Sequence, residues 1–368
     1  MKKLRVTIPK VEKGSYDVFI GSRILPKLWS MLDDSFPVQN RFIVTDSNVV
    51  KGGHLEKLLA SNIAPTFVID PPGEISKNIN TVIAIIEAME KAALGRDSLI
   101  AALGGGTVGD IAGFAGAIFK RGVPVVQIPT TTVSQADSAI GGKAGVDSTI
   151  SKNAFGAFHQ PSAVFVDVDT LKTLDDRQFC SGLVESVKHA LIADADYFDY
   201  LEKNIGAILN RDNSVLEKVM RQNCKIKASV VQIDPTEKNK RRILNYGHTI
   251  GHAVESVSGF KLLHGEAVAI GIIGAGHIEI QLGIGNSDRL ERVKNMLSKL
   301  KMPLSIPKTL AKNQIIDIIK RDKKAVNKWP KFVLINDIGS ARCTDGQWAN
   351  EVSQELVDGV LDTLYEQK

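Results

Sequence analysis

Three histidines fall within 17 residues of the stretch NYGHTIGHAVESVSGFKLLHGEAVA: His248, His252 and His264. His248 and His252 are four apart, so on a helix they share one face. Without an intervening Glu this pair is weaker than a zinc-protease pattern, and two hydrogen-bonded helix histidines would read the same way. His264, read as lying in a loop before the next helix, adds weight to a metal. A catalytic zinc site commonly uses three protein ligands and keeps one position open. Glu185, in CSGLVESVKHAL, is the candidate carboxylate. It shares a predicted helix with Leu183, Val184, Val187 and Leu191, an unusual setting for a solvated acid, and Lys188 follows one turn on.

The segment SLIAALGGGTVGDIAGFAGAIF reads as buried strand, glycine turn and helix. Gly104, Gly106 and Gly109, with Gly105 between them, satisfy GxGxxG in the context that pattern requires. Such a turn lets an anion approach the backbone, and the helix start offers unpaired N–H groups to a pyrophosphate. The acid usually found about 20 residues later is missing, because that region reads Phe119-Lys120-Arg121-Gly122-Val123. A nucleotide and a tight structural turn therefore both stay open. Asp46, after RFIVTD, and Glu74, in PPGEISK, are candidate ribose partners, although each alone also reads as a solvated loop carboxylate. Cations stand in polar, glycine-bearing contexts: Lys143 after Gly-Gly, Lys152 before Asn153, and Arg241-Arg242 just before Asn245. The stretch GGKAGVDSTISKNAFGAFHQP has little periodicity and reads as a long ordered loop.

The elements that must position these groups differ between the two halves of the chain. Apolar runs at Val6–Pro9, Asp17–Gly21, Arg41–Asp46, Thr66–Asp70, Leu99–Leu103, Val125–Pro129 and Ala163–Val168 read as strands. They alternate with helical patterns such as Ile79–Leu94, which argues for a parallel sheet. From about Asp175 the helical period dominates: Phe179–Ile192, Asp196–Ile208, Ser214–Ile233, Gly247–Ser258, Glu266–Leu282, Asp288–Lys299 and Gln314–Lys323, broken by one β-like run, Lys331–Ile335. The expected architecture is a Rossmann-like α/β domain over residues 1–175 and a mostly α-helical domain over 176–368.

Composition fits such an enzyme-sized globular chain: 368 residues, 43% hydrophobic and 24% charged, which excludes a largely disordered chain. The net charge of +5 is spread along the chain, and the densest basic run, Lys238–Arg242, carries no interleaved aromatics. Nucleic acid is therefore not an expected partner; an anionic small molecule suits the imbalance. Cys180, Cys224 and Cys343 are too scattered for a disulfide framework, and all three are expected to be buried thiols in a reducing compartment. The N-terminal stretch lacks an apolar core of signal-peptide length and reads as a cytoplasmic start. No apolar run suggests a membrane span; Ala267–Gly276 reads as a buried helix.

Taken in order, GGGTVGDIAGFAGAIFKRG, QIPTTTVSQADSAIGGKAGVD, SKNAFGAFHQP, GLVESVKHALI and ILNYGHTIGHAVE…LHGEAVAIG resemble the 3-dehydroquinate synthases, from about Asp46 to Lys324. The resemblance implies 3-deoxy-D-arabino-heptulosonate 7-phosphate as substrate, NAD over the glycine turn, Zn²⁺ (or Co²⁺), and transient oxidation, phosphate elimination, re-reduction and aldol closure. Matched by position, Glu185, His248 and His264 would be the metal ligands, and His252 would handle the substrate phosphate or a proton. Lys143, Lys188, Lys227, Arg241 and Asn245 would contact substrate, Asn153 would belong to the same catalytic set, Glu237 would stand near the elimination step, and one of Lys323 and Lys324 would join them. Arg121 would reach the phosphate from a partner subunit, implying a homodimer. Asp46, Asn48, Glu74, Lys77, Gly106, Asp110, Thr130, Thr131, Asp137, Lys152 and Thr173 would serve NAD. Other sugar-phosphate cyclases, of inosose or valiolone type, and metal-dependent polyol dehydrogenases are the related alternatives. Asp147 and Ser151 stand where many members have Asn and Gly, Pro235 where Glu is common, and Asn239 where Gly is common. Asn239 is expected to keep the left-handed turn of that glycine.

Overall fold

Strands covered on both faces read as near-continuous apolar runs, and Ser98–Gly104 and Ala163–Asp167 are buried along their whole length. The computed structural model describes residues 14–35, 40–60, 62–320 and 329–365. In it the strands are β1 (Asp17–Gly21), β2 (Asn40–Asp46), β3 (Thr66–Ile69), β4 (Ser98–Gly104), β5 (Val125–Pro129), β6 (Lys143–Val146), β7 (Phe155–Phe158) and β8 (Ala163–Asp167). Six of them form one sheet in the order β1-β8-β5-β4-β2-β3. Every pair in it is parallel. The predicted strand Val6–Pro9 lies outside the described residues. β6 and β7 are a correction: the expected loop is an antiparallel hairpin, with Lys143 opposite Phe158 and Val146 opposite Phe155.

Helices α1 (Leu28–Ser35), α2 (Ser47–Lys51) and α3 (His54–Leu59) cover one face of the sheet; α4 (Ile79–Lys91) and α5 (Gly106–Ile118) cover the other. β4 shows the division. Leu99, Ala101 and Leu103 pack with Leu28, Trp29 and Leu58, whereas Ile100 and Ala102 pack with Val82, Ile85 and Ile111. This is the alternation that a strand's two-residue period imposes.

The C-terminal part is helical: α6 (Asp176–Ala193), α7 (Ala195–Leu209), α8 (Asn213–Ile233), α9 (His248–Val257), α10 (His264–Gln281), α11 (Ser287–Lys299), α12 (Lys312–Lys320) and α13 (Gln354–Leu364). Short polar side chains start several of them. The carboxylates of Asp175, Asp194 and Asp212 each accept a backbone N–H of the first turn of α6, α7 and α8. α10 is apolar around its whole circumference and buried through Ala267–Gly276, as its sequence implied. Its first residue is His264, so that histidine begins a helix and does not sit in the preceding loop. The β-like run Lys331–Ile335 contributes only the Phe332–Asn350 bridge and the start of a small pair, β9 (Ile335–Asp337) with β10 (Ser340–Ala341).

One core joins all eight of these helices, and Val164, Val166 and Val168 at the end of the sheet belong to it. Cys180 and Cys224 are buried in it, but Cys343 is exposed, against expectation, on the loop after β10. No helix among the described residues is long and apolar enough to cross a membrane.

Candidate functional site

A parallel sheet gathers the ends of its strands along one edge, and ligands bind outside the carboxyl ends. Here that edge carries Asp46 at the end of β2, Glu74 and Lys77 just after β3, Gly104 to Gly106 at the end of β4, Thr130 and Thr131 after β5, and Thr173 shortly after β8. Gly105 caps α5, which carries Gly106, Gly109 and Asp110 in its first turns. The Asp46 carboxylate accepts the backbone N–H groups of Asn48 and Val49, both at 2.9 Å. Lys77 is buried and pairs with Asp110 at 2.7 Å. The Thr107 hydroxyl points to Glu74 at 3.4 Å, which places that acid beside the glycine turn.

Across from this edge, α6, α9 and α10 bring together the residues singled out for a metal. Glu185 and Lys188 face each other on α6 as a fully buried ion pair. Glu185 Oε1 lies 3.2 Å from His264 Nε2 and 3.7 Å from His248 Nε2. Close backbone approach makes this possible: a Cβ on Gly265 would sit 1.9 Å from the Ser181 carbonyl oxygen, so α10 begins directly against α6. His248 Nδ1 is 3.0 Å from the Tyr246 carbonyl, which only an N–H can satisfy, so Nε2 presents its lone pair to Glu185. His264 Nδ1 faces Glu255 Oε2 at 3.5 Å. Neither Glu185 oxygen has a hydrogen-bond partner of normal geometry although both are buried. Two imidazoles braced from behind and one buried carboxylate, paired here with Lys188, are a donor set that fits a divalent cation. His252 lies on the same face of α9, its ring centroid 5.0 Å from that of His248 and 5.7 Å from that of His264, but it is exposed.

The electrostatics follow from burial and pairing. Burial opposes charge on Glu185, yet Lys188 and the nearby His264 imidazole hold its carboxyl well below the usual range. Burial also opposes charge on His264, but Glu185 and Glu255 raise its imidazole to about 9. Burial and the neighbouring Lys188 push His248 well below its ordinary value. Asp137 lies on a single π-helical turn, Ser134–Ser138, a form common at functional sites. Its carboxylate meets Lys227 at 2.8 Å and His189 at 3.4 Å. Lys188, Lys227 and Arg241 are all buried, so a cluster of cations stands beside the metal-type donors.

Arg241 is held by its neighbours. Its guanidinium donates to the carbonyls of Pro235 at 2.6 Å and Gly141 at 3.0 Å. Gly141 has φ +95°, and a Cβ there would stand 2.4 Å from Arg241 Nη2, so only glycine fits. Lys143 pairs with Glu237, whose other oxygen accepts from Asn245 at 2.8 Å. A pocket lined by Arg242, Asn245, His248, Thr249, His252 and Lys331 opens beside them. Lys331 reaches it from the C-terminal segment and carried no motif in the sequence.

Other predicted residues sit elsewhere. Arg121 is exposed on the turn before β5 and takes part in no ion pair among the described residues. Asn153 is exposed, and its N–H donates to Asp147 at 2.6 Å, a turn role that an Asn at 147 would fill equally. Ser151 is not among the residues with positive φ, so no glycine is required there. Lys323 and Lys324 lie outside the described residues. Asn239 corrects the expectation made for it: its φ is −150°, not left-handed. Its amide instead donates to the Gly346 carbonyl at 2.8 Å and accepts from the Trp348 N–H at 3.3 Å, pinning the C-terminal loop to the loop that carries Glu237.

Sequence comparison decides the family. Residues 67–181 match the model of the 3-dehydroquinate synthase N-terminal region, and residues 182–325 match that of the C-terminal region. The chain belongs to the 3-dehydroquinate synthase family. A 3-dehydroquinate synthase of Symbiobacterium thermophilum is 42% identical over 314 residues, 84% of this chain and 88% of the relative. That of Desulforamulus reducens is 42% identical over 329 residues, 88% and 92% of the two chains. Among solved structures, 2-epi-5-epi-valiolone synthase from Streptomyces hygroscopicus subsp. jinggangensis 5008, with NAD+ and Zn2+ bound, superposes with a TM-score of 0.86 at 29% identity, covering 98% of this chain and 99% of that one. A 2-deoxy-scyllo-inosose synthase complexed with carbaglucose-6-phosphate, NAD+ and Co2+ gives 0.83 at 26% identity, covering 94% and 95%. The fold of this 3-dehydroquinate synthase family member is thus shared with the sugar-phosphate cyclases.

Proposed function

We propose that the protein is a 3-dehydroquinate synthase, a phosphate-eliminating carbon–oxygen lyase that converts 3-deoxy-D-arabino-heptulosonate 7-phosphate to 3-dehydroquinate and phosphate in aromatic amino-acid biosynthesis. The observation that carries this reading is the convergence of Glu185, His248 and His264 beside buried Lys188, Lys227 and Arg241, facing the glycine edge of the sheet. In this reading residues 1–175 hold NAD and residues 176–368 hold the cation and substrate. When bound, NAD takes up and returns a hydride, and the divalent cation polarises the alcohol and ketone oxygen. Glu185 Oε1, His248 Nε2 and His264 Nε2 would hold that cation.

The chain's own groups do the rest. Lys188, Lys227 and Arg241 offer fixed positive charge to a substrate carrying a carboxylate and a phosphate, where charge-assisted bonds are the strong ones. Lys143 and Asn245 orient Glu237, and the substrate lies over that acid at the elimination step. His252, exposed at the rim of the cleft, contacts the phosphate or carries a proton. Arg121 completes the phosphate site of a partner subunit in a cytoplasmic homodimer. Its exposed position outside the cleft's ion pairs supports that reading.

The test is a phosphate-release assay with the heptulosonate phosphate, zinc and NAD. Phosphate should be released without accumulation of NADH. Turnover of sedoheptulose 7-phosphate or glucose 6-phosphate in its place would move the assignment to a sister cyclase. Sustained NADH production from a polyol would make the protein a dehydrogenase.

A further inference from the structure

Glu255 carries no motif in the sequence, yet it touches both the donor cluster and the side of the cleft that carries the glycine turn. It lies on α9 and is 8% exposed. Its Oε2 faces His264 Nδ1 at 3.5 Å, and its Oε1 faces Lys152 Nζ at 3.3 Å. Lys152 in turn meets Glu74 Oε1 at 3.0 Å, and Glu74 adjoins Thr107 beside the glycine turn. A continuous series of alternating charges therefore runs from the turn to the donor cluster: Glu74, Lys152, Glu255, His264, Glu185. The Lys152 ammonium also lies 4.2 Å from the centroid of the Phe260 ring, which limits its freedom to swing away.

We propose that Glu255 is a positioning residue that couples the cation site to the nucleotide site, so that filling either one tightens the other. The inference rests on the assignment of those two sites made above. A carboxylate has two oxygens with a fixed angle between them. An imidazole held by a cation fixes Nδ1–H, and that bond fixes the plane of Glu255. The second oxygen is then aimed at Lys152, which is held ready beside Glu74. A nucleotide that orders Lys152 acts in the reverse sense on His264. Whichever site fills first has already lost the disorder that the other would otherwise have to remove, and this gives positive coupling. Linkage requires the factor to be the same in both directions.

The experiment measures the NAD dissociation constant on metal-free and zinc-loaded protein, and the zinc dissociation constant with and without NAD. In the wild type each ligand should tighten the other by about tenfold, within the range usual for coupled sites. Glu255→Gln keeps the shape but loses one acceptor, so the factor should fall below about twofold while both ligands still bind. Lys152→Ala, a partly exposed position, should likewise bring the factor below about twofold; circular dichroism checks that both variants are folded. Binding of both ligands to the wild type with no mutual effect would overturn the coupling alone, as would an undiminished factor in folded E255Q. Failure of the wild type to bind zinc or NAD stoichiometrically would overturn the site assignment and the coupling together.

Discussion

His264 is the most demanding residue in the cleft, because its two nitrogens face two different carboxylates, Glu185 and Glu255. Replacing it with Ala removes one of three candidate ligands. Zinc affinity should fall by more than 10²-fold together with kcat/KM, as measured by metal content after dialysis and by phosphate release. Full metal content in that variant would remove His264 from the ligand set. A second residue gives a pH signature. His54 is 2% exposed and sits 2.6 Å from the Thr173 hydroxyl; burial, then Lys57, lower its imidazole to about 4. The unfolded chain, with an ordinary value near 6.5, then binds more protons than the native state between about pH 4 and 6.5. Stability contributed by neutral His54 is present above pH 6.5 and is lost as pH falls through about 4, on the order of 3 kcal/mol over that window. Denaturant melts across that range should show the slope, and His54→Gln should flatten it. Residue types and spacing pointed to Glu185 because an acid on an apolar helix face stands out. They were silent on Glu255, since an acid three residues after His252 looks like any helix-surface carboxylate.

Among the elements, α10 shows what sequence periodicity can and cannot convey. Its apolar character was legible from Ala267–Gly276, but its start was placed two residues late. No Ser, Thr or Asp precedes it; Leu263 does, and its N–H is taken by Glu266 at 2.8 Å, half of a capping box. The hairpin β6–β7 escaped notice for a different reason. KAGV and FGAF are short and rich in glycine, too short to show a two-residue period. The buried parallel strands and long helices were legible because two-sided burial leaves continuous apolar runs and one-sided burial leaves a 3.6-residue stripe. The contact of α10 with α6 yields a prediction at this scale. Gly265→Ala places a methyl against the Ser181 backbone, so α10 must move off α6. Such overpacking costs about 1–3 kcal/mol, and it should shift His264 away from Glu185. Zinc affinity should therefore drop in parallel with thermal stability; a stable variant with unchanged zinc binding would show that the helix contact does not set the site.

At the scale of the whole molecule, the proposed dimer makes a sharper claim than any single residue. If Arg121 serves the partner's site, Arg121→Ala and Glu185→Gln homodimers should each lose more than about 10²-fold of activity, because each lacks a charged group needed in every site. Mixing and reassembling the two should restore part of it, since a mixed dimer contains one site with neither change. Activity that stays at the level of the separate variants would return Arg121 to the surface.

The sheet has a further consequence, for the timing of folding during synthesis. Among the described residues β1 is an edge strand whose one neighbour in the sheet is β8, with Asp17 paired to Ala163. At roughly 5–20 residues per second, about 7 to 30 s separate the making of these two partners on the ribosome. Throughout that interval β1 lacks its partner β8, and β5, once made, shows an open edge where β8 will insert. Closure of this long loop is the kind of distant pairing that slows folding. A strand made early is thus among the last to find its place, and the valines of β8 that it waits for also belong to the helical core.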